Sequence, residues 1–187
     1  MSTGGWIFLL VVAGLIIAAV AGYNKLVGLR QRSEEAWSDI DVQLKRRTDL
    51  IPNLVETVKG YAAHEQSTFE EVTKARTAAQ QAQGVEQQAS AENALTAAIG
   101  RLFAVAEAYP DLKANQNFAQ LQTSLGEIEN AIQDSRRYYN AVVRDFNTTI
   151  DTVPTNVIAS MFRFAKRQYF ELESQQDRQA PRVAFGS

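Results

Sequence analysis

The chain has 187 residues, a formal net charge of −2 and no cysteine. A charge this close to zero gives no basic field for nucleic acid, and the absence of thiols excludes disulfides, thiolate catalysis and thiolate metal sites. Once the apolar first segment is set aside, the remaining length fits one domain.

The first element is the apolar segment 6–23, WIFLLVVAGLIIAAVAGY, which contains no charged side chain. At about 1.5 Å per residue, a helix of this length covers roughly 27 Å, close to the hydrocarbon thickness of a bilayer. The aromatic residues at its two ends suit the membrane–water interface. We therefore predict a transmembrane anchor, whose main residues are Trp6, Ile7, Phe8, Leu9, Leu10, Leu15, Ile16, Ile17 and Tyr23.

A cleaved signal peptide is the alternative for this segment, because residues 19–21, AVA, resemble a cleavage site. The preceding residues 1–5 lack the basic side chains of a signal peptide, which favours a retained anchor. The first basic residues, Lys25, Arg30 and Arg32, follow the segment. The positive-inside rule therefore predicts that residues 1–5 lie outside the bacterial inner membrane and the rest lies in the cytoplasm.

Apolar residues at steps of three and four predict helices throughout residues 24–153. The first helical stripe covers 26–51 and continues the membrane helix. At Pro52 this helix either kinks, or it stops and restarts with Asp49 as the cap of the new helix. The next stripe covers 54–79.

The second half of the chain continues the helical pattern. Gly84, in an Ala- and Gln-rich stretch, is predicted to separate the second and third helices. The third has its stripe over 95–109 and stops at Pro110, and the fourth, at about 114–150, is ended by Pro154. No alternation of period two predicts a strand. We therefore predict an all-α fold, with an N-terminal transmembrane helix followed by an elongated antiparallel bundle of about four long helices with coiled-coil-like packing.

Residues 154–172 combine aromatic and basic side chains and are predicted to be helical, and residues 173–187 are predicted to form a flexible tail. Within 157–170, an apolar stripe beside basic residues suits a helix lying on anionic lipid. It equally suits a helix packed on the bundle or on a neighbouring subunit. The candidate interfacial or oligomer contacts are Met161, Phe162, Phe164, Lys166, Arg167 and Phe170.

Two sequence blocks resemble the LemA family: residues 36–76, AWSDIDVQLKRRTDLIPNLVETVKGYAAHEQSTFEEVTKAR, and residues 136–149, RRYYNAVVRDFNTT. With the apolar segment leading into YNKLVGLRQR, the similarity spans nearly the whole chain. The resemblance implies a bacterial membrane-anchored α-helical domain and supplies no catalytic mechanism. The family more often has Phe-Pro at Val153-Pro154 and Gly-Phe at Arg163-Phe164, and the second departure questions tight backbone packing at Arg163.

The sequence contains no recognisable catalytic or metal-binding motif. His64 is the single histidine, and a zinc helix would need a second one at position 68, where the chain has Thr68. No glycine-rich phosphate loop is present, and no serine has a histidine partner for a triad. We therefore predict no catalytic, cofactor-binding or metal-binding residue and no enzyme activity, with a metal-dependent hydrolase as the least favoured hypothesis.

Charged residues provide two further sets of candidates. A compact basic cluster before Pro52 is interpreted either as a solvated helix end or as an anion or partner contact, and it consists of Lys45, Arg46 and Arg47. Interhelical ion pairs are predicted between the first and fourth helices, from Asp39 and Asp41 to Arg136, Arg137 and Arg144.

These observations favour a non-catalytic, membrane-anchored scaffold or adaptor that acts through protein–protein contacts and self-association. The alternative is an oligomer that organises or remodels the membrane, with lipid contacts from the anchor and residues 157–170. The expected partners are membrane lipid, further copies of the chain in a homo-oligomer and other membrane proteins, without nucleic acid and without a cofactor.

Overall fold

The computed structural model describes residues 3–171, which are mainly helical and contain no strand. The helices of this part are α1 (Thr3–Lys59), α2 (Gln66–Gln81), α3 (Gly84–Glu107), α4 (Pro110–Lys113), α5 (Gln116–Asp151) and α6 (Thr155–Met161). The predicted all-α class and the long apolar N-terminal helix are confirmed. The first two residues of the predicted extracytoplasmic N-terminus and the tail predicted over 173–187 lie outside the described residues.

Helix α1 passes through Pro52 and ends at Lys59. Proline has no main-chain N–H, so the carbonyl of Thr48, four residues earlier, loses its helical donor. The side chain of Arg76, on α2, replaces that donor, with Nε 2.8 Å from the Thr48 oxygen. The predicted restart at Pro52 is therefore wrong, and Asp49 lies inside the helix instead of capping a new one.

The replacement donor predicts a specific energetic coupling between Arg76 and Pro52. Arg76→Met is expected to lower the free energy of unfolding by about 1–3 kcal/mol, because the Thr48 carbonyl loses its partner. In a Pro52→Ala background the amide of residue 52 can bond this carbonyl, so the same substitution should cost much less. Thermal unfolding of the full chain in detergent micelles, followed by circular dichroism, measures both costs. Equal costs in the two backgrounds would contradict the coupling, and Lys74→Met on the exposed side of α2 is the control.

The chain divides into two compact units. Within the described residues, the first unit comprises 3–41 and 133–169, and the second comprises 42–132 and 170–171. The core of the second unit is built by apolar faces of α1, α2, α3 and α5, with Leu112 from α4. Its fully buried members include Leu54, Val58, Val72, Leu95, Ala98 and Leu102.

The core of the first unit is smaller and joins α1, α5 and α6. Leu26, Phe146, Ile158 and Ala159 are buried together, and Phe164 packs against them from the segment that follows α6. These contacts fix the short α6 against the part of α1 that follows the apolar segment.

Helix α6 ends at Met161, so the helix predicted over 154–172 is wrong beyond that residue. The Phe164 amide donates to the Ala159 carbonyl at 2.9 Å, and the Arg163 amide donates to the Ser160 carbonyl at 3.2 Å. This pair of bonds is a Schellman motif, which requires a left-handed residue after the helix. Arg163 takes that conformation, with φ of 57°, and the chain therefore cannot continue as a helix.

The left-handed conformation of Arg163 predicts that glycine is the better residue at this position. For a residue with a Cβ atom, the left-handed region costs roughly 1–2 kcal/mol, whereas glycine enters it freely. We expect Arg163→Gly to be more stable than Arg163→Ala by about 1 kcal/mol, since alanine keeps the Cβ penalty and both variants lose the charge. Chemical denaturation of the two variants in the same micelles checks the difference. An alanine variant as stable as the glycine variant would contradict the expectation.

Candidate functional site

The apolar segment of α1 is unburied from Trp6 to Ala21, and Gly22 near its end is buried. The predicted anchor residues are exposed by between 37% for Tyr23 and 71% for Leu10. Within residues 3–171, α1 is the single helix long and apolar enough to cross a membrane, by length and composition. Water disfavours such a continuous apolar surface, whereas the hydrocarbon interior of a bilayer accepts it. The exposed segment is therefore suited to membrane association.

The end of the apolar segment is packed against α6. A Cβ atom on Gly22 would lie 2.6 Å from Ile158 Cδ1 and 3.2 Å from Thr155 Cγ2, so glycine permits this close approach. The ring of Tyr23 lies 4.7 Å from the ring of Phe162, centroid to centroid. Helix α6 and the first residue after it therefore lie directly beside the last two residues of the predicted anchor.

The segment that follows α6 is held to α5 by hydrogen bonds to its main chain. Asn147 accepts from the Arg167 amide at 2.9 Å and donates to the Arg167 carbonyl, also at 2.9 Å. The Tyr139 hydroxyl donates to the Gln168 carbonyl at 3.0 Å. Burial raises the pKa of Tyr139, against a smaller opposing effect of the Arg167 charge, so the hydroxyl keeps the proton that it donates. We call residues 162–169 the C-terminal segment.

Ion pairs and an aromatic contact reinforce this attachment. Arg167 Nη2 lies 2.6 Å from a carboxylate oxygen of Glu34 on α1, and Lys166 Nζ lies 2.7 Å from one of Asp151 on α5. The guanidinium of Arg30 lies 5.6 Å from the centre of the Phe164 ring. The C-terminal segment is thus bound to both long helices of the first unit.

The predicted interfacial residues therefore separate into two groups. Met161 and Phe162 are 71% and 55% exposed, and Lys166 is exposed beside Asp151. Phe164 and Arg167 are half-buried within the first unit, and Phe170 is fully buried. Because Phe170 is buried, the prediction of an interfacial contact is wrong for this residue. The exposed residues Met161, Phe162 and Lys166 remain candidates for an interfacial or oligomer contact.

The predicted ion pairs between the first and fourth helices are not formed. Among residues 3–171, no ion pair joins Asp39 or Asp41 to any of the three predicted arginines, which are Arg136, Arg137 and Arg144. Arg137 instead pairs with Asp134, three residues earlier on α5. An acid and a base at this spacing meet on one helix face without any contribution from another helix.

In the second unit, a buried polar cluster surrounds Arg47. One guanidinium nitrogen, Nη1, lies 3.3 Å from Glu92 Oε2, and the other, Nη2, lies 3.3 Å from Glu129 Oε2. Nη2 also donates to the Thr96 hydroxyl at 2.9 Å. Gln88 donates to Glu92 Oε1 at 3.1 Å and to the Ala79 carbonyl at 3.2 Å. The cluster joins α1, α2, α3 and α5.

The electrostatics of this cluster make Arg47 a structural cation. Burial raises the pKa of Glu92 above its ordinary value, and nearby Glu129 adds to the rise. The charge of Arg47 and the hydrogen bond from Gln88 oppose it. Because both guanidinium ends are occupied inside the protein, the prediction of an anion or partner contact is wrong for Arg47. Its neighbours Lys45 and Arg46 are exposed and remain candidate contacts.

The acceptors of this cluster escaped the sequence prediction, although a signal for them exists. Arg47 lies between Leu44 and Ile51 at helical spacing, on the face that those residues bury. Glu92 likewise precedes Leu95 by three residues on the buried face of α3 and is fully buried. A charge on an apolar stripe predicts a buried partner of opposite charge.

A further concave surface is an open groove of about 510 Å³ between the end of α1 and α2. Its lining includes Lys59, Phe69, Glu70 and Lys74, and Lys59 Nζ lies 5.8 Å from the centre of the Phe69 ring. The hydroxyls of Thr73 and Thr77 also line the groove, and both donate to main-chain carbonyls of α2. Within residues 3–171 no group of three His, Asp or Glu side chains could hold a metal ion.

The chain is similar over most of its length to one known family and to several named proteins. The sequence model of the LemA family matches residues 36–185. The magnetosome protein MamQ 2 of Paramagnetospirillum magneticum is 27% identical over 191 residues, covering 88% of this chain and 70% of that protein. The magnetosome protein MamQ of Magnetospirillum gryphiswaldense is 25% identical, with the same coverage. Protein LemA of Metamycoplasma hominis is 27% identical over 171 residues, covering 89% of this chain and 78% of that protein. None of these names is that of an enzyme.

Proposed function

The chain belongs to the LemA family, and from this membership and its unburied apolar helix we propose that it is a non-catalytic, membrane-anchored scaffold or adaptor. It acts through protein–protein contacts and self-association. The magnetosome proteins among its relatives are consistent with a role at a membrane.

One observation carries the proposal: the anchor and the packed part of the first unit share a single helix. Helix α1 starts at Thr3, is unburied as far as Ala21 and enters the core at Leu26 without a break. Packing of Ile158 on Gly22 leaves no flexible linker between the two parts. A protein of this design presents its helical surfaces at a fixed place beside the bilayer, which suits a scaffold.

For orientation, we propose that residues before the anchor lie outside the bacterial inner membrane. The support is the basic set that follows the anchor, Lys25, Arg30 and Arg32, against no basic side chain before it. Residues 24–171 then lie on the cytoplasmic side of the membrane. The exposed cations Lys45 and Arg46 are offered there to acidic partners, and the exposed rings of Tyr61 and Tyr138 offer apolar contacts.

Cross-linking in intact membranes followed by mass spectrometry tests the scaffold role. We expect cross-links between copies of the chain and to a small set of other membrane proteins, and a mass above the monomer by light scattering in mild detergent. The matched variant replaces Lys45 and Arg46 with Gln, which should reduce partner cross-links without unfolding the protein, since both side chains are exposed. A monomer in detergent together with no reproducible cross-linked partner would overturn the proposal.

A further inference from the structure

The most exposed large apolar side chains outside the anchor gather around α6. Among residues 3–171, Val153 is 76% exposed, Met161 71% and Val157 61%, and Phe162 follows at 55%. Val157 and Met161 are four residues apart and share one face of the helix. We call these four residues the α6 patch. An exposed apolar patch of this kind indicates a contact with another molecule or with lipid.

The position of α6 identifies that partner. Ile158, between the two patch residues of the helix, contacts Gly22, and the Phe162 ring contacts the Tyr23 ring at a tilted angle of 56°. Gly22 and Tyr23 are the last residues of the apolar segment, so α6 lies at the level where the anchor leaves the hydrocarbon. A patch at that level is adjacent to lipid and not to a soluble protein.

Cationic side chains surround the same end of the first unit. Lys25 follows Tyr23 by two residues, and Arg163 follows Phe162 directly. Both are exposed and form no ion pair with another described residue. Lysine and arginine next to apolar side chains are typical of protein surfaces that lie in the headgroup region of anionic bilayers.

We propose that α6 is an interfacial helix, whose patch of Val153, Val157, Met161 and Phe162 enters the bilayer surface while Lys25 and Arg163 contact lipid headgroups. The inference rests on the proposed membrane anchorage and adds a second lipid contact to it. Through Gly22 and Tyr23, this contact restrains the angle at which α1 leaves the membrane. A tether alone would leave that angle free.

Single-cysteine variants test the inference directly, because the natural chain has no cysteine and each label is unique. Met161→Cys and Val157→Cys are labelled with an environment-sensitive fluorophore in the full chain, reconstituted into phosphatidylcholine–phosphatidylglycerol vesicles. Nitroxides are placed either on the lipid headgroup or near the end of the acyl chain. We expect at least a twofold quenching of both labels by the headgroup nitroxide and a weaker effect of the deep one.

Two further positions calibrate the measurement. Leu15→Cys, in the middle of the apolar segment, should be quenched most by the deep nitroxide. Tyr138→Cys also labels an exposed position of the first unit. This position lies beside a part of α1 that is far from the anchor, because its neighbour Tyr139 contacts Trp37. Trp37 is 14 residues beyond Tyr23. At about 1.5 Å per residue this is roughly 21 Å from the end of the anchor, so the Tyr138→Cys label should not be quenched.

The outcomes separate the two proposals. If Leu15→Cys is quenched while Met161→Cys and Val157→Cys behave like Tyr138→Cys, the anchor stands and the interfacial helix is overturned. If the α6 labels sense an apolar environment without quenching by either nitroxide, protein covers the patch and the inference is again overturned. If Leu15→Cys itself is not quenched, the proposed anchorage fails.

Discussion

Replacing Arg47 with Met is expected to lower the free energy of unfolding by about 3–5 kcal/mol, the usual cost of leaving a buried charge without its partner. Glu92 bears most of this loss because its side chain is fully buried and, among residues 3–171, Arg47 is the one cation that forms an ion pair with it. Glu129 is less affected, since a third of its side chain reaches solvent. Urea unfolding of the full chain in micelles, followed by circular dichroism, measures the change.

Two variants distinguish the loss of a pair from the loss of an arginine. Arg46→Met removes the neighbouring exposed cation, which bonds only Gln43 among the described residues, and should change stability by less than about 0.5 kcal/mol. Arg47→Met combined with Glu92→Met removes both charges and should recover most of the loss. A double variant as unstable as Arg47→Met alone would contradict a buried pair as the cause.

The pH dependence of the single variant follows from the raised pKa of Glu92. A carboxyl group with a raised pKa in the folded state favours folding when protonated, and this contribution is lost as pH rises through the folded pKa. Burial is the largest cause of the rise, and Arg47 opposes it, so Arg47→Met should raise the pKa further above the ordinary value of 4.5. The deficit of the variant should therefore be largest near neutral pH and shrink towards pH 4. A deficit that grows on acidification would contradict this assignment.

Replacing Asn147 with Leu should release the C-terminal segment from α5. The substitution removes both hydrogen bonds to the main chain of Arg167, and the loss of two such bonds costs about 2–4 kcal/mol when the groups are partly buried. Main-chain amides of residues 162–169 should then exchange hydrogen faster by roughly 30-fold to 700-fold, at 1.4 kcal/mol for each factor of ten. Hydrogen exchange with mass spectrometry reads this segment directly.

Tyr139→Phe provides a graded comparison for the same segment. It removes one hydrogen bond, to the Gln168 carbonyl, and keeps the ring that packs at 5.5 Å from Trp37. We expect a smaller acceleration, corresponding to about 1 kcal/mol. Exchange unchanged in Asn147→Leu would show that the ion pairs of Lys166 and Arg167 suffice to hold the segment.

The helical class could be predicted because it depends on patterns along the chain. Apolar side chains at three- and four-residue spacing, together with the absence of period-two alternation, reflect the burial of one helix face. Glycine at position 84 also marked a real boundary, since it begins α3 with φ of 80°. Such features can be recognised without knowing which helices contact one another.

The mispredicted features depend on contacts between distant positions. Pro52 predicts a kink or a helix end from the local sequence, whereas in the structure Arg76 of α2 bonds the carbonyl that Pro52 leaves without a helical donor. Arg47 was grouped with the two exposed cations beside it, because its acceptors belong to two other helices and are distant in the sequence. The end of α6 at Met161 was masked by helix formers after it, and the departure at Arg163 was interpreted as a question of backbone packing, not as the left-handed end of a helix.

Retention and orientation of the anchor are the central claim, and labelling of single cysteines tests them most directly. Thr3→Cys and Tyr138→Cys are each treated with a membrane-impermeant maleimide in spheroplasts of the expressing bacterium, before and after permeabilisation. We predict that Thr3→Cys reacts in intact spheroplasts, that Tyr138→Cys reacts only after permeabilisation, and that both remain in the membrane fraction. Reaction of Tyr138→Cys in intact spheroplasts, or a soluble product lacking residues 3–23, would contradict a retained anchor with residues 24–171 on the cytoplasmic side.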